Sequence, residues 1–161
     1  MKAKTVEDSK LMIVQQMVQT DANLSGNVHG GVIMKLLDST AGIVASRHCS
    51  STVVTASIDR LDFHYPIYVG ELVKLYASIN YAGTTSMEIG VRVEAENVRT
   101  SKSRHTASAY LTFVAIDSEG KPHRVRPLTL VTEDEKRRFK EAERRREIRL
   151  AERSREQRAQ E

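Results

Sequence analysis

The sequence predicts an α+β fold in which one antiparallel β-sheet wraps around a long central helix, followed by a charged C-terminal helix. Three observations carry this. An almost entirely apolar stretch runs from about Gly31 to Arg47. Four runs with strand-like patterning follow it, from Thr52 to Ala115. Beyond Pro127 the chain turns densely charged. With 161 residues it can form one domain with a real core.

Leu11 to Val18 is an apolar-rich run that suits a strand. Next comes the turn-rich segment D-A-N-L-S-G-N-V-H-G-G, then the helix. Val32, Ile33, Met34, Leu36, Leu37, Ala41, Ile43, Val44 and Ala45 leave that helix no fully polar face, so it belongs in a core. Thr52 to Phe63, closed by Pro66, is the next strand. In the last three runs Val73 to Tyr81, Met87 to Ala95 and Ala107 to Ala115 alternate apolar with polar residues, the period of a two-faced sheet. The short loops A-G-T-T and R-T-S-K-S join these runs as antiparallel hairpins. One helix covers only part of a sheet face, and open strand edges invite pairing, so the pattern favours an oligomer. Thr132 opens T-E-D-E, a capping box with Glu135, and starts a helix of 11 basic and 9 acidic residues to Glu161, expected to be exposed. The chain thus divides into a domain at 1–131 and a charged helical tail at 132–161.

Composition narrows the function. Net charge is +4, too weak to argue for nucleic acid, and acids interleave the basic run Arg144–Arg146. No apolar run reaches the ~18 residues of a membrane span, and the N-terminus has no secretory h-region. Cys49 is the only cysteine, so a cytoplasmic protein without intrachain disulfides is expected. Five histidines lie scattered without metal-ligand spacing, so no metal site is expected.

Asp38 is the single acid of the apolar helix. It could be a general base activating water, or the partner of Lys35 in an i, i+3 ion pair. Gly30 and Gly31 precede the helix and let a ligand approach the backbone, where unpaired amides and the positive end of the dipole can hold an oxyanion. A tight turn into the helix would use them equally well. Asn23 could orient water or a carbonyl, or serve the turn. His29 could contact substrate or order its loop. His48 and Cys49 are consecutive, so on a helix their side chains diverge by ~100° and do not form a nucleophile pair. Gly31 and Asp38 are separated by ~10 Å along a helix axis, too far to serve one carbon. If both act, two subunits must share a site.

The motif N-V-H-G-G-V-I-M-K-L-L-D-S-T-A-G-I-V-A-S-R-H-C resembles the central helix region of hotdog-fold acyl-CoA thioesterases, most closely the cytosolic acyl-CoA hydrolases. V-V-T-A-S-I-D-R-L-D-F, T-S-M-E-I and T-E-D-E-K-R-R-F resemble later motifs of the same family, and the likeness runs from about Asn23 to Leu150. It implies hydrolysis of fatty acyl-CoA to free acid and CoA, with no cofactor. The family's catalytic aspartate falls on Asp38 and its partner asparagine on Asn23, and Gly31 would supply the oxyanion-hole amide. CoA contacts map onto Ala56, Ser57, Ile58, Thr85, Ser86, Met87 and Arg146. A homo-oligomer is expected, built on a dimer of hotdogs, with a trimer of dimers favoured and a plain dimer or a tetramer left open. A non-catalytic acyl-CoA-binding module is the competing expectation, and release of free thiol separates the two.

Overall fold

The computed structural model describes residues 1–160. The chain runs β1 (Lys4–Thr5), β2 (Leu11–Gln16), a short 3-10 turn (Gln19–Asp21), α1 (Gly30–Cys49), β3 (Thr52–Phe63), β4 (Leu72–Ala82), β5 (Ser86–Asn97), β6 (Lys102–Ile116), β7 (Leu128–Thr129) and α2 (Glu133–Gln160). The main sheet has the order β2-β4-β5-β6-β3, antiparallel throughout. The expected hairpins β4–β5 and β5–β6 form its centre. The strands flanking α1 in sequence, β2 and β3, lie at opposite edges. A small parallel pair, β1 with β7, ties the N-terminus to the segment before α2.

α1 crosses the inner face of this sheet. Ile33, Leu37, Ala41, Val44, Ala45 and His48 recur every three to four residues and are buried. They meet alternate residues of the central strands, among them Leu75, Ile79, Ile89, Val93, Leu111 and Phe113. The helix is not buried all round, as its composition suggested. Met34 is 42% exposed and Ile43 43%, and Val54 and Phe63 of the edge strand β3 are similarly open. One sheet can cover only one side of a helix, and the apolar second side borders an unpaired strand edge.

β3 carries two irregularities in its pairing with β6, between Thr55 and Ser57 and between Ile58 and Arg60. They leave Ala56 and Asp59 as extra residues and re-aim the strand locally.

α2 starts at the expected capping box. The Glu135 amide donates to the Thr132 hydroxyl at 3.2 Å, and the Thr132 amide donates to the Glu135 carboxylate at 3.1 Å. The helix is less free than an exposed tail. It lies on the outer face of the sheet, where Ala142 is buried, the Phe139 and Tyr81 rings are 4.9 Å apart, and Arg145 and Arg149 reach the sheet acids Glu88 and Asp59. Alternating charge along a helix reads as solvated because it does not disclose which charges have partners elsewhere in the chain.

Candidate active site

Asp38 sits midway along α1, at the border between its buried and open sides. The Thr55 hydroxyl of β3 donates to Asp38 Oδ1 at 2.6 Å. No ion pair with Lys35 forms among the described residues, so the local pairing open from sequence is not made. Beside Asp38 is an open cavity of about 420 Å³, lined by Ser39, Gly42, Ile43, Val53, Thr55 and Phe113. Gly42 is part of its wall, where a Cβ would meet the Phe113 ring at 3.6 Å, an ordinary contact. One carboxylate oxygen is held by Thr55, so the other can face a water in that cavity.

Asn23 is built into the loop before α1. Its Oδ1 accepts the amides of Ser25 and Asn27 at 2.9 and 3.2 Å. This spends the carbonyl half of the side chain on the turn and leaves its NH2 to meet a ligand. Asn23 and Gly30 line a second cavity of about 330 Å³, closed by Ile33, Phe63, His64 and Tyr65. The loop forming that wall is pinned by Glu71 and Arg104. Arg104 donates to both Glu71 carboxylate oxygens at 2.6 and 2.8 Å and to the Pro66 carbonyl at 2.7 Å. Burial alone would raise the Glu71 pKa, but the Arg104 fork and the Tyr68 amide outweigh it and hold the carboxyl below its ordinary value.

Gly31 is the second residue of α1, and its amide donates to His29 Nδ1 at 2.9 Å. His29 is therefore the helix N-cap, the loop-ordering use open from sequence, and its ring stands where an oxyanion on the Gly31 amide would go. Gly31 is exposed, so that ring can rotate into solvent.

Ala56, Ser57 and Ile58 lie in the irregular stretch of β3, and Thr85, Ser86 and Met87 lead into β5. The two segments flank the same part of β6: Thr112 is opposite Ser57 on one side and Glu88 on the other. The Ser57 hydroxyl donates to Asp59 at 2.5 Å. Met87 is buried at 1% exposure, paired with Ala82 of β4 on one side and Phe113 of β6 on the other, so it presents almost no surface of its own to a ligand. Arg146 lies on α2 with its guanidinium 5.9 Å from the centre of the Tyr81 ring.

Two clusters result. Asp38 and Thr55 lie beside one cavity, and Asn23 and Gly30 line another. Thr55 escaped the sequence reading because 17 residues of chain separate it from Asp38. Its one available signal was its place in V-V-T-A-S, directly before Ala56. Among the described residues no group of three His, Cys, Asp or Glu side chains is set to hold a metal, and no helix is long and apolar enough to cross a membrane.

Residues 25–102 match the thioesterase superfamily model. The chain is 43% identical over 139 residues to the cytosolic acyl coenzyme A thioester hydrolase of Mus musculus, covering 85% of this chain and 36% of that protein. The chain thus spans about a third of the length of that relative. It is 41% identical to protein VdlD of Helicobacter pylori, covering 90% of this chain and 83% of VdlD. Among solved structures, the acyl-CoA hydrolase of Staphylococcus aureus in complex with butyryl-CoA, CoA and CoA disulfide superposes with a TM-score of 0.90. It is 36% identical and covers 98% of this chain and 96% of that one. Alanine variants of that enzyme are also solved, at an aspartate, at an asparagine 15 positions before it and at a threonine 17 positions after it. An apo-hexameric acyl-CoA thioesterase is similar to the same degree, with a TM-score of 0.90 and 36% identity over 94% of this chain and 97% of that one.

Proposed function

This chain belongs to the hotdog-fold acyl-CoA hydrolases of the thioesterase superfamily, and on that premise we propose that it hydrolyses fatty acyl-CoA to free acid and CoA with Asp38 as general base. The observation that carries the assignment is the Thr55–Asp38 hydrogen bond beside an open cavity. Asn23, Asp38 and Thr55 also keep the spacing of the three residues replaced in the S. aureus enzyme.

The proposed reaction follows from this geometry. The free oxygen of Asp38 takes a proton from water, and the resulting hydroxide attacks the thioester carbonyl carbon. Negative charge moves to the carbonyl oxygen, which the Gly31 amide and the positive end of α1 receive once the His29 ring has moved aside. Collapse of the tetrahedral intermediate breaks the C–S bond, CoA leaves as thiolate and accepts a proton, and the acid remains. Asn23 orients the water or the carbonyl through its NH2. No metal or other cofactor takes part.

Each site draws Asp38 from one subunit and Asn23 and Gly31 from another. Three observations support this: the ~10 Å between Gly31 and Asp38 along one helix, the separate cavities beside Asn23 and Asp38, and the open apolar side of α1 next to the unpaired edge of β3. Pairing two β3 edges across a two-fold axis would cover that side, and three such dimers would make a hexamer. Ala56–Ile58 and Thr85–Met87 hold the pantetheine arm, His29 and Gly30 border the acyl carbonyl, and Arg146 attracts the CoA phosphates. The cytoplasm is the proposed location.

The test is thiol release by purified protein across acyl-CoAs from acetyl to stearoyl. Wild type releases thiol, and Asp38→Asn, which keeps shape but not basicity, lowers kcat by ~10²–10⁴-fold. If wild type binds acyl-CoA but releases no thiol, the chain is a binding module. If Asp38→Asn stays within about threefold of wild type, another group is the base.

A further inference from the structure

The helix α2 meets the sheet through two arginines one turn apart, and each takes an acid that borders one of the two segments assigned to CoA. Arg145 donates to both oxygens of Glu88, from Nε at 3.0 Å and Nη2 at 2.8 Å. Glu88 follows Thr85–Met87 and is 3% exposed; its third donor is Asn80, at 3.1 Å. Arg149 donates from Nη1 to Asp59 at 2.6 Å. Asp59 follows Ala56–Ile58 and also accepts Ser57 at 2.5 Å and Thr112 at 2.6 Å.

These contacts differ from the other ion pairs of α2. Arg137 and Arg138 pair with Asp134 and Glu141 within the helix, on exposed side chains, where such pairs contribute little. Arg145 and Arg149 are mostly covered; of the acids they meet, Glu88 is buried and Asp59 is mostly covered. The Arg145 guanidinium also stacks 3.8 Å above the Tyr110 ring, which fixes its plane. A carboxylate withdrawn from water without a partner is costly, so the buried Glu88 and the mostly covered Asp59 both favour α2 in this register.

The place where Arg149 acts is the least regular part of the sheet. Asp59 is itself the extra residue of the second irregularity in β3, and Ala56 is that of the first. Ladder hydrogen bonds are interrupted on both sides of Ser57–Ile58, so the backbone there is not set by pairing alone. The Asp59 carboxylate replaces the missing constraint by joining Ser57, Thr112 and α2. Thr55 begins this irregular stretch, and Thr55 is the residue bonded to Asp38.

We infer that α2 is a clasp that positions the CoA-binding segments from the opposite face of the sheet, with Arg149–Asp59 setting Ala56–Ile58 and Arg145–Glu88 setting Thr85–Met87. The inference rests on the assignment of those segments to CoA. Asp59, Glu88, Arg145 and Arg149 are positioning residues that act through the strands they hold.

The experiment compares Ser57→Ala, Arg149→Met, Asp59→Asn, the neutral pair Asp59→Asn/Arg149→Met, and Arg145→Met, by steady-state kinetics and thermal unfolding. The neutral pair leaves no lone buried charge and so keeps the test alive if a single variant folds poorly. Ser57→Ala is expected to raise KM for acyl-CoA. Arg149→Met and the neutral pair should raise KM by about five- to tenfold with kcat within about threefold, the split expected for lost uniform binding. The neutral pair should be no worse than the worse single, since both substitutions open one clasp. Arg145→Met should act in the same direction. If Ser57→Ala raises KM while the clasp variants fold and keep wild-type KM, α2 is only a stabilising cover and the inference falls. If Ser57→Ala leaves KM unchanged, the CoA assignment of this segment fails and takes the inference with it.

Discussion

Thr55 on β3 donates its hydroxyl to Asp38 Oδ1 on α1 at 2.6 Å, bridging the edge strand and the central helix at the mouth of an open cavity. The bond ranks the two carboxylate oxygens. One is held by the protein and the other is free of protein donors, so in the proposed mechanism the lone pair that takes the proton is aimed before substrate arrives.

Thr55→Val keeps the volume and removes the donor. A hydrogen bond to a charged group is worth ~1.5–3 kcal/mol, so kcat should fall by roughly tenfold to a hundredfold with KM little changed. The loss should be smaller than that of Asp38→Asn. If kcat stays within about twofold, Thr55 does not orient the base.

Asn23 and Asp38 line different cavities, so mixing an Asn23→Ala variant with an Asp38→Asn variant tests the shared site. Under conditions that exchange subunits, some sites receive both wild-type residues, and mixed oligomers should regain part of the activity. Proven exchange with no recovery would place each site within one chain.

Arg146 should be the tail residue that senses the CoA phosphates. Arg146→Glu is expected to raise KM for acyl-CoA by roughly tenfold and to change kcat little. The effect should shrink at high salt and with an acyl-pantetheine substrate that has no nucleotide. Equal KM changes for both substrates would mean that Arg146 acts on folding or assembly. The contrast with Arg145→Met is informative, since the Arg145 guanidinium is already engaged by Glu88 and Tyr110.

His48 predicts a pH dependence of stability. It is buried at the end of α1, with Nε2 2.9 Å from the Arg126 carbonyl. Burial lowers its pKa from the ordinary 6.5, and the Arg126 carbonyl opposes this only in part. A lowered histidine pKa means that below about 6.5 the unfolded chain binds the proton more readily than the folded one. Stability should therefore be full above that pH and fall as pH drops toward the folded-state value. Denaturant midpoints at pH 7.5 and 5.5 should show this decline, and His48→Gln should flatten it. An unchanged slope in the variant would assign the acid sensitivity to other groups.

Much of the fold was legible along the chain because it is encoded in local periodicity. Alternation in Val73–Tyr81, Met87–Ala95 and Ala107–Ala115 specifies strands whose buried side is fixed by a period of two. The apolar run containing Asp38 specifies the central helix, and T-E-D-E specifies where α2 begins. Asp38 stood out for the same reason, as the one acid in a stretch with no other. The tertiary structure decided what depends on distant residues meeting. The sequence does not show that β2 and β3 take opposite edges of the sheet, since that follows from how α1 crosses it. The tie of Asp38 to Thr55 depends on the return of β3 beside α1. The split of α2 arginines into those that pair along the helix and those that reach Glu88 and Asp59 is likewise absent from local pattern. Charge periodicity reports neighbours three and four residues away, whereas a buried acid on another strand is found only when packing brings it within reach.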